Sequence, residues 1–269
     1  MAEIIERLEE WRSRYGVWQQ RHGAGDELGN DYPFVENKRA PFTPAQRALS
    51  MVSLALITSA GAYIDGTDPF DVSASGGDIT FREIPSEVDA SGLRFSARGY
   101  DPIFVSRDVN VQVPLDRLLE FEANRVIGQL NSVFWSFCGF IPDAGKFVGV
   151  TAPKLVERLQ RYEVQAALLI PASRLCHQSV ALAARAIERA GIPTMTLAVD
   201  RELIEIVRPP RAGYYSGQTG SVVGQPNWPE HQRRVLDEAL RLIEPIDQPS
   251  VIKLAVELES QVEVARGER

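Results

Sequence analysis

The feature that most constrains this sequence is an alternation of helical and strand-like segments in the second half of the chain. A helical segment at 152–162 precedes the apolar run 166–170, a second helix covers about 176–190, and the apolar run 193–199 follows. Gly191 stands just after the second helix, where glycine commonly ends helices. A strand–helix–strand order implies parallel strands joined by a right-handed crossover. The chain is therefore predicted to be an α/β protein with a mostly parallel, doubly wound sheet and flanking helices.

The first half of the chain adds further elements to this sheet. The apolar run 52–58 ends at Ser59-Ala60-Gly61, which is typical of a buried strand followed by a turn. We expect it to neighbour the strands at 166–170 and 193–199. Short strands are predicted at 79–84 and 93–96. Further helices are predicted from Pro114 to about Ile127 and over 229–243.

Both ends of the chain carry narrow apolar stripes that are typical of amphipathic helices. The sequence is therefore divided into a helical arm and connector at 1–48, an α/β core at 49–247 and a C-terminal helix at 248–269. Exposed stripes of this kind favour self-association, most simply a twofold dimer, and packing onto the chain's own body is the alternative. The stripes consist of Ile4, Leu8, Trp11, Tyr15 and Trp18 at one end and Val251, Leu254, Leu258, Val262 and Ala265 at the other.

Composition excludes several functional classes. The net charge of −7 and the lack of a basic patch argue against nucleic acid or a membrane as partner. No apolar run approaches a membrane span, and residues 1–21 do not resemble a signal peptide, so we expect a cytoplasmic protein. The two cysteines do not make a disulfide framework. No metal-binding spacing is present, and neither a metal nor another cofactor is predicted.

Cys176 is the first candidate for a reactive residue. It lies where the strand at 166–170 turns into a helix, and ligands of open parallel sheets bind at such turns. A helix N-terminus favours a thiolate, and the neighbouring His177 could add a charge or exchange a proton. A buried structural cysteine is the alternative. Cys138 follows an aromatic run and is predicted to belong to the core.

Four polar residues are candidates for binding a substrate. Asp108 and Asn110 lie in a polar segment before a helix, where hydrogen bonding within the loop is the alternative role. Arg82 and Glu83 lie in a predicted strand, where an exposed ion pair is the alternative. The glycine-rich segment 213–226 lacks the spacing of a phosphate-binding loop and is predicted to form a flexible rim or lid.

Several motifs, in order, resemble the selenoprotein B subunits of the glycine, sarcosine, betaine and D-proline reductases. The resemblance covers roughly residues 41–243. It rests on Ala55-Leu56-Ile57-Thr58-Ser59-Ala60-Gly61, Asp68-Pro69-Phe70-Asp71, Gly77-Asp78, Phe81-Arg82-Glu83-Ile84-Pro85, Arg107-Asp108-Val109-Asn110, Pro114-Leu115-Asp116-Arg117-Leu118, Ile127-Gly128, Ser136-Phe137-Cys138-Gly139, Leu169-Ile170-Pro171, Val180-Ala181-Leu182 and Gly191-Ile192-Pro193-Thr194.

The resemblance implies a reaction and a site. In that family, the turn after this strand carries selenocysteine or cysteine, two further residues and then cysteine. The first of these attacks the substrate and a C–N bond is opened reductively. The second closes a selenide–sulfide or disulfide bond that a thiol donor reduces. Here Ser173 holds the first position and Cys176 the second. A serine hydroxyl is a far weaker nucleophile than a selenolate and has no comparable redox couple. The segment 97–101 also lacks a histidine associated with the family.

Three functions are consistent with these patterns. The first is a thiol-dependent reductase-like or lyase-like enzyme for a small polar molecule, with Cys176, Ser173 and His177 as catalytic residues. Its partners would be a thiol-donor protein or a second subunit. The second is a non-catalytic partner or scaffold subunit of the same fold. The third is an acid–base enzyme without a covalent step, which would use Asp108, Glu83 or His177.

Overall fold

A mostly parallel β-sheet runs through the computed structural model, which describes residues 3–22, 28–29 and 31–256. The strand order is β10-β9-β8-β7-β1-β6-β3, and β5 also pairs with β1. β3 is antiparallel to β6 at one edge, whereas the other pairs of this sheet are parallel. β2 and β4 form a separate antiparallel pair. The strands are β1 (Ser53–Thr58), β2 (Ala62–Ile64), β3 (Phe81–Pro85), β4 (Leu93–Phe95), β5 (Gln129–Leu130), β6 (Val133–Phe137), β7 (Ala166–Ile170), β8 (Thr194–Ala198), β9 (Arg211–Tyr214) and β10 (Ser250–Lys253).

The sheet confirms the predicted architecture. The predicted strands at 52–58, 166–170 and 193–199 are the neighbours β1, β7 and β8, with Leu54 opposite Ala166 and Ala167 opposite Thr194. The helices are α1 (Leu8–His22), α2 (Ile103–Arg107), α3 (Leu115–Ala123), α4 (Ala144–Lys146), α5 (Ala152–Arg161), α6 (Arg174–Arg189), α7 (Arg201–Val207) and α8 (Pro229–Arg241), with a π-helical turn, Phe147–Thr151, between α4 and α5.

Helices cover both faces of the sheet because its central strands are apolar on both sides. Ala55 and Ile57 of β1 belong to a core that includes residues of α1, α5 and α6. Leu54 and Leu56 point to the opposite core, which α3 and α8 complete. Because both faces of β1 are buried, its sequence is an uninterrupted apolar run.

Helix α6 is buried along most of its length, and its buried Arg185 anchors other segments of the chain. Arg185 donates hydrogen bonds to the backbone carbonyl oxygens of Glu3, Ile4, Arg39 and Arg208, at 2.6 to 2.8 Å. Burial lowers the pKa of Arg185 to about 10. The N-terminal segment is thereby fixed to the core by a cation that is solvated by carbonyl groups.

The N-terminal stripe packs onto the chain's own body. Trp11, Tyr15 and Trp18 are buried, and the Nε1 atom of Trp11 donates to the carbonyl oxygen of Pro33 at 2.7 Å. This is the alternative that the sequence left open, since the aromatic rings of the stripe complete the core on one face of the sheet. Self-association through this stripe stays a prediction. Helix α1 also begins at Leu8, whereas the stripe predicted that it would begin at Ile4.

The C-terminal segment begins as a strand. Ser250–Lys253 forms β10 and pairs in parallel with β9, so a helix starting at 248 is wrong for these residues. The stripe residues Leu258, Val262 and Ala265 lie outside the described residues. Gly213, predicted to open a glycine-rich loop, lies within β9. There a Cβ atom would lie 2.9 Å from Leu254, so glycine permits this close approach.

Candidate functional site

The carboxyl ends of β1, β6 and β7 meet at one edge of the sheet. The three segments that leave these strands lie side by side because Thr58 pairs with both Ser136 and Ile170. Ser59 joins them: its carbonyl oxygen accepts a hydrogen bond from Gly139 N–H, and its Oγ atom accepts one from Ala172 N–H, each at 3.0 Å. Sequence reasoning missed Ser59, although it lies directly after a predicted strand.

Cys176 and Ser173 form the centre of this edge. Ser173 caps α6, and its Oγ atom accepts a hydrogen bond from the backbone N–H of Cys176 at 3.2 Å. The same oxygen lies 3.0 Å from the Sγ atom of Cys176, close enough for the hydroxyl to donate to sulfur. The Sγ atom also lies 3.8 Å from the carbonyl oxygen of Ser59. The predicted pair of Ser173 and Cys176 is thus in direct contact, and both side chains are buried.

His177 points to a different part of the molecule. Its Nδ1 atom lies 2.7 Å from the carbonyl oxygen of Ser173, and its Nε2 atom accepts a hydrogen bond from the Val199 N–H at 3.1 Å. A backbone N–H can only donate, so Nε2 is unprotonated and Nδ1 is the donor. Complete burial lowers the pKa of His177 to about 4. The neutral ring therefore ties the end of β8 to the first turn of α6.

Two segments cover Cys176. The hydroxyl of Tyr100 donates to the carbonyl oxygen of Ala60 at 2.7 Å, and Tyr100 packs against the cluster that contains Cys176. Gly99 has a φ of +78°, and a Cβ atom there would lie 2.4 Å from the ring of Phe140. Gly220 N–H donates to the carbonyl oxygen of Ala172 at 2.7 Å. The glycine-rich segment therefore lies at the rim of this site, as predicted.

Arg82 and Glu83 lie on the edge strand β3 and have partners of their own. Glu83 accepts hydrogen bonds from Arg158, including one from Nη2 at 2.6 Å, and one from Trp135 at 3.3 Å. The Arg158 hydrogen bonds lower the pKa of Glu83. Arg82 lies over the Phe70 ring at 4.3 Å and donates to nearby oxygens. Neither side chain makes one of the hydrogen bonds or ion pairs that define the Cys176 cluster.

Asp108 and Asn110 organise the polar loop before α3. Asp108 accepts hydrogen bonds from Asn110, from Asn227 N–H at 2.9 Å and from Gln232 Nε2 at 2.6 Å. Burial acts to raise the pKa of Asp108, but these hydrogen bonds outweigh burial and lower it. Asn110 is further bonded to Asp116. Asp108 thus fastens this loop to α8 and to Asn227, which directly follows the glycine-rich segment. A direct role of Asp108 or Asn110 in binding stays a prediction.

Two glycines shape the site in ways that only its assembled geometry reveals. A Cβ atom on Gly139 would lie 2.5 Å from Ser59 Cβ and 2.9 Å from Cys176 Sγ. Gly61, with a φ of +69°, would bring a Cβ atom 2.7 Å from the carbonyl oxygen of Ser96. The sequence signal was present in both cases as a glycine directly after a strand or its turn.

Two further observations concern metal-binding groups and membrane spans. Among the described residues, no group of three or more His, Cys, Asp and Glu side chains is arranged to hold a metal ion. None of the helices within the described ranges is long and apolar enough to cross a membrane.

The fold and site define an α/β protein with a buried Ser-x-x-Cys turn at the carboxyl edge of its sheet. Residues 21–172 match the family model of the glycine/sarcosine/betaine reductase selenoprotein B proteins. The chain belongs to this family. The matched region ends just before Ser173, so the turn that carries Cys176 lies beyond it.

Curated relatives agree with this assignment. The D-proline reductase subunit gamma of Acetoanaerobium sticklandii is 30% identical over 213 residues, which cover 79% of this chain and 86% of that protein. The sarcosine reductase complex component B subunit beta of Peptoclostridium acidaminophilum is 31% identical over 180 residues, and the glycine reductase complex component B subunit gamma of Symbiobacterium thermophilum is 28% identical over 177. These matches cover 65% and 64% of the chain but only 40% of each relative. No solved structure matches this chain.

Proposed function

We propose that this chain is a thiol-dependent reductase-like or lyase-like enzyme that cleaves a bond in a small polar molecule, with Cys176 as the reacting thiol. The observation that carries the proposal is the position of the Cys176 Sγ atom. It lies in the first turn of α6, where β1, β6 and β7 end, and 3.0 Å from the Ser173 hydroxyl. The sulfur thus lies at the edge of the sheet where open parallel sheets bind their ligands.

The relatives suggest the class of substrate. They are named for D-proline, sarcosine and glycine, which are small amino acids or their N-substituted forms. We therefore place the substrate among small molecules that combine a carboxylate with an amine. Binding by Arg82, Glu83, Asp108 or Asn110 would require that these side chains exchange their present partners.

The reaction requires the site to open. Cys176 is 0% exposed, beneath Tyr100 and the segment around Gly220. Hydrogen bonds from Tyr100 to Ala60 and from Gly220 to Ala172 hold these two segments down. Movement of such loops on binding is a common way for enzymes to admit a substrate and then exclude water. In this proposal Ser173 and His177 position the thiol.

The proposal also includes partners. Several relatives are named as subunits of reductase complexes, and we propose a second subunit or a thiol-donor protein for this chain as well. Self-association stays a prediction, and burial of the N-terminal stripe removes one ground for it. A cytoplasmic setting, in which thiols remain reduced, accords with this chemistry.

Turnover of D-proline with dithiothreitol as electron donor tests the proposal, with glycine and sarcosine as parallel probes. We expect the ring-opened amino acid to form with the wild type and not with Cys176→Ser. Thr196→Ser is the matched control, because it also changes a small buried side chain but lies on β8. Circular dichroism shows whether each variant is folded. Equal turnover by folded wild type and Cys176→Ser would contradict the role of Cys176.

A non-catalytic partner subunit is the second candidate. The observation that favours it is that Ser173 and Cys176 are both buried and hydrogen-bonded within the chain. The same assay separates the two candidates, because a scaffold gives no product with any probe. The acid–base alternative has less support, since His177, Glu83 and Asp108 are each held by internal hydrogen bonds.

A further inference from the structure

The second cysteine of the chain, Cys138, directly follows β6, and β1 separates this strand from β7, which leads to the helix of Cys176. Cys138 forms an isolated β-bridge with Ala60, and Ala60 also packs against Cys176. Directly after Cys138, Gly139 approaches so closely that a Cβ atom on it would lie 2.9 Å from Cys176 Sγ. Both cysteines are free and buried. Ala60 therefore contacts both cysteines, which are 38 positions apart in the sequence.

Electrostatic interactions support this proximity. Burial raises the pKa of Cys138 to about 12, and the neighbouring Cys176 adds to this rise. Tyr100 interacts with both thiols, and each contributes to raising the pKa of its hydroxyl beyond the effect of burial. The two sulfur atoms and the Tyr100 hydroxyl thus lie within electrostatic reach of one another beneath the same cover.

We infer that Cys138 and Cys176 form a redox pair, with Cys138 as the resolving thiol in a chain that has Ser173 at the position of the family's first redox residue. This inference rests on the function proposed above. The serine hydroxyl contacts Cys176 but has no disulfide chemistry, so a two-electron reduction needs a second sulfur. Cys138 is the other cysteine of the chain, and the fold brings it to the same strand edge.

The two S–H bonds are lost, a bond forms between the sulfur atoms of Cys138 and Cys176, and the thiols are oxidised by two electrons. The substrate bond between carbon and its leaving atom breaks, and each of these atoms gains one of the two hydrogens. An external dithiol then reduces the disulfide by thiol–disulfide exchange and is itself oxidised to a disulfide.

A redox titration of the complete chain tests this pair without a substrate. The folded protein is equilibrated at a series of ratios of reduced to oxidised dithiothreitol, remaining thiols are trapped by alkylation in denaturant, and peptides are mapped by mass spectrometry. We expect one intramolecular bridge between Cys138 and Cys176, seen as the loss of two hydrogens. Ser173→Cys is the informative variant, because a thiol at 173 should divert part of the bridge to the pair of positions 173 and 176.

Three outcomes would overturn the pair: both thiols stay reduced at the most oxidising ratio, bridges form only between chains, or Cys138→Ala turns over at the wild-type rate. We expect Cys138→Ala to lose as much turnover as Cys176→Ser. When two residues act as a unit, removing either one costs about as much activity as removing both. If Cys138→Ala stays active while Cys176→Ser does not, the pair fails and the proposed function survives. If both variants stay active, the proposed function fails as well.

Discussion

At the scale of single residues, adjacent side chains at the start of α6 have different surroundings. The Cys176 Sγ atom lies at the strand edge beside Ser173, whereas the His177 ring is enclosed between α6 and the end of β8. Residues that follow each other on a helix face different directions, so their adjacency in the sequence does not bring their reactive atoms together. The neutral imidazole therefore connects α6 to β8, whereas the reactive role of Cys176 is the proposal made above.

The neutral imidazole predicts a pH dependence of stability. The pKa of His177 is about 4 in the folded protein, below its ordinary value of 6.5. Between these values the unfolded chain takes up a proton that the folded chain does not. The free energy of unfolding should therefore fall as the pH falls from about 6.5 towards 4, by roughly 3 kcal/mol. Urea denaturation at a series of pH values measures this change.

The variant His177→Gln isolates this contribution, because glutamine does not titrate. Its unfolding free energy should be lower at neutral pH but flatter across the same range. Thr196→Ser is the control, since Thr196 is buried but does not titrate, and it should keep the wild-type profile. An equally steep profile in His177→Gln would show that other groups cause the acid sensitivity.

At the scale of elements, α1 is the clearest case in which packing decides between two interpretations of one stripe. Trp11 stacks on Tyr15 with ring centroids 5.0 Å apart, and Trp18 lies edge-on to Tyr32. The sequence shows that the stripe must be buried but does not show against what. The structure buries it against the same chain.

Replacing Trp11 tests this arrangement. Trp11 is 2% exposed, so Trp11→Ala should lower the free energy of unfolding by about 3–5 kcal/mol. Val17 lies on the same helix but is 50% exposed, and Val17→Ala should change stability by less than about 0.5 kcal/mol. Urea denaturation gives both values, and light scattering gives the mass. A Trp11→Ala protein of unchanged stability and smaller mass would support the arm as a contact between chains.

Other elements show where sequence patterns are informative and where they are not. β1, β7 and β8 could be predicted because strands buried on both faces are continuous apolar runs. β9 could not, because it begins with the charged Arg211, whose guanidinium is buried in an ion pair with Glu188. The sequence shows β6 only as an aromatic run, and its position beside the edge strand depends on pairing with β1 and β3.

At the scale of the whole molecule, the candidate site combines local and distant contributions. The Ser173 and Cys176 contact was predictable, because a strand-to-helix turn is a local feature and both residues lie within it. The contacts that cover Cys176 were not predictable, because they join distant parts of the sequence. Tyr100 and Ala60 are 40 residues apart, and Gly220, which bonds to Ala172, lies beyond β9. Two of the polar candidates have partners that the sequence did not indicate, since Glu83 pairs with Arg158 and Asp108 accepts a hydrogen bond from Gln232. Their role in binding stays a prediction.

The central claim is that Cys176 is the reacting thiol of this fold, and the relative alkylation rates of the two cysteines test it most directly. The folded protein is treated with iodoacetamide at neutral pH, and labelling is followed by peptide mapping, with the unfolded chain giving the reference ratio. Burial holds the pKa of Cys138 near 12, so its thiolate is scarce. We predict that Cys176 is labelled at least about ten times faster than Cys138 in the folded protein. Equal, slow labelling of both thiols would contradict the account.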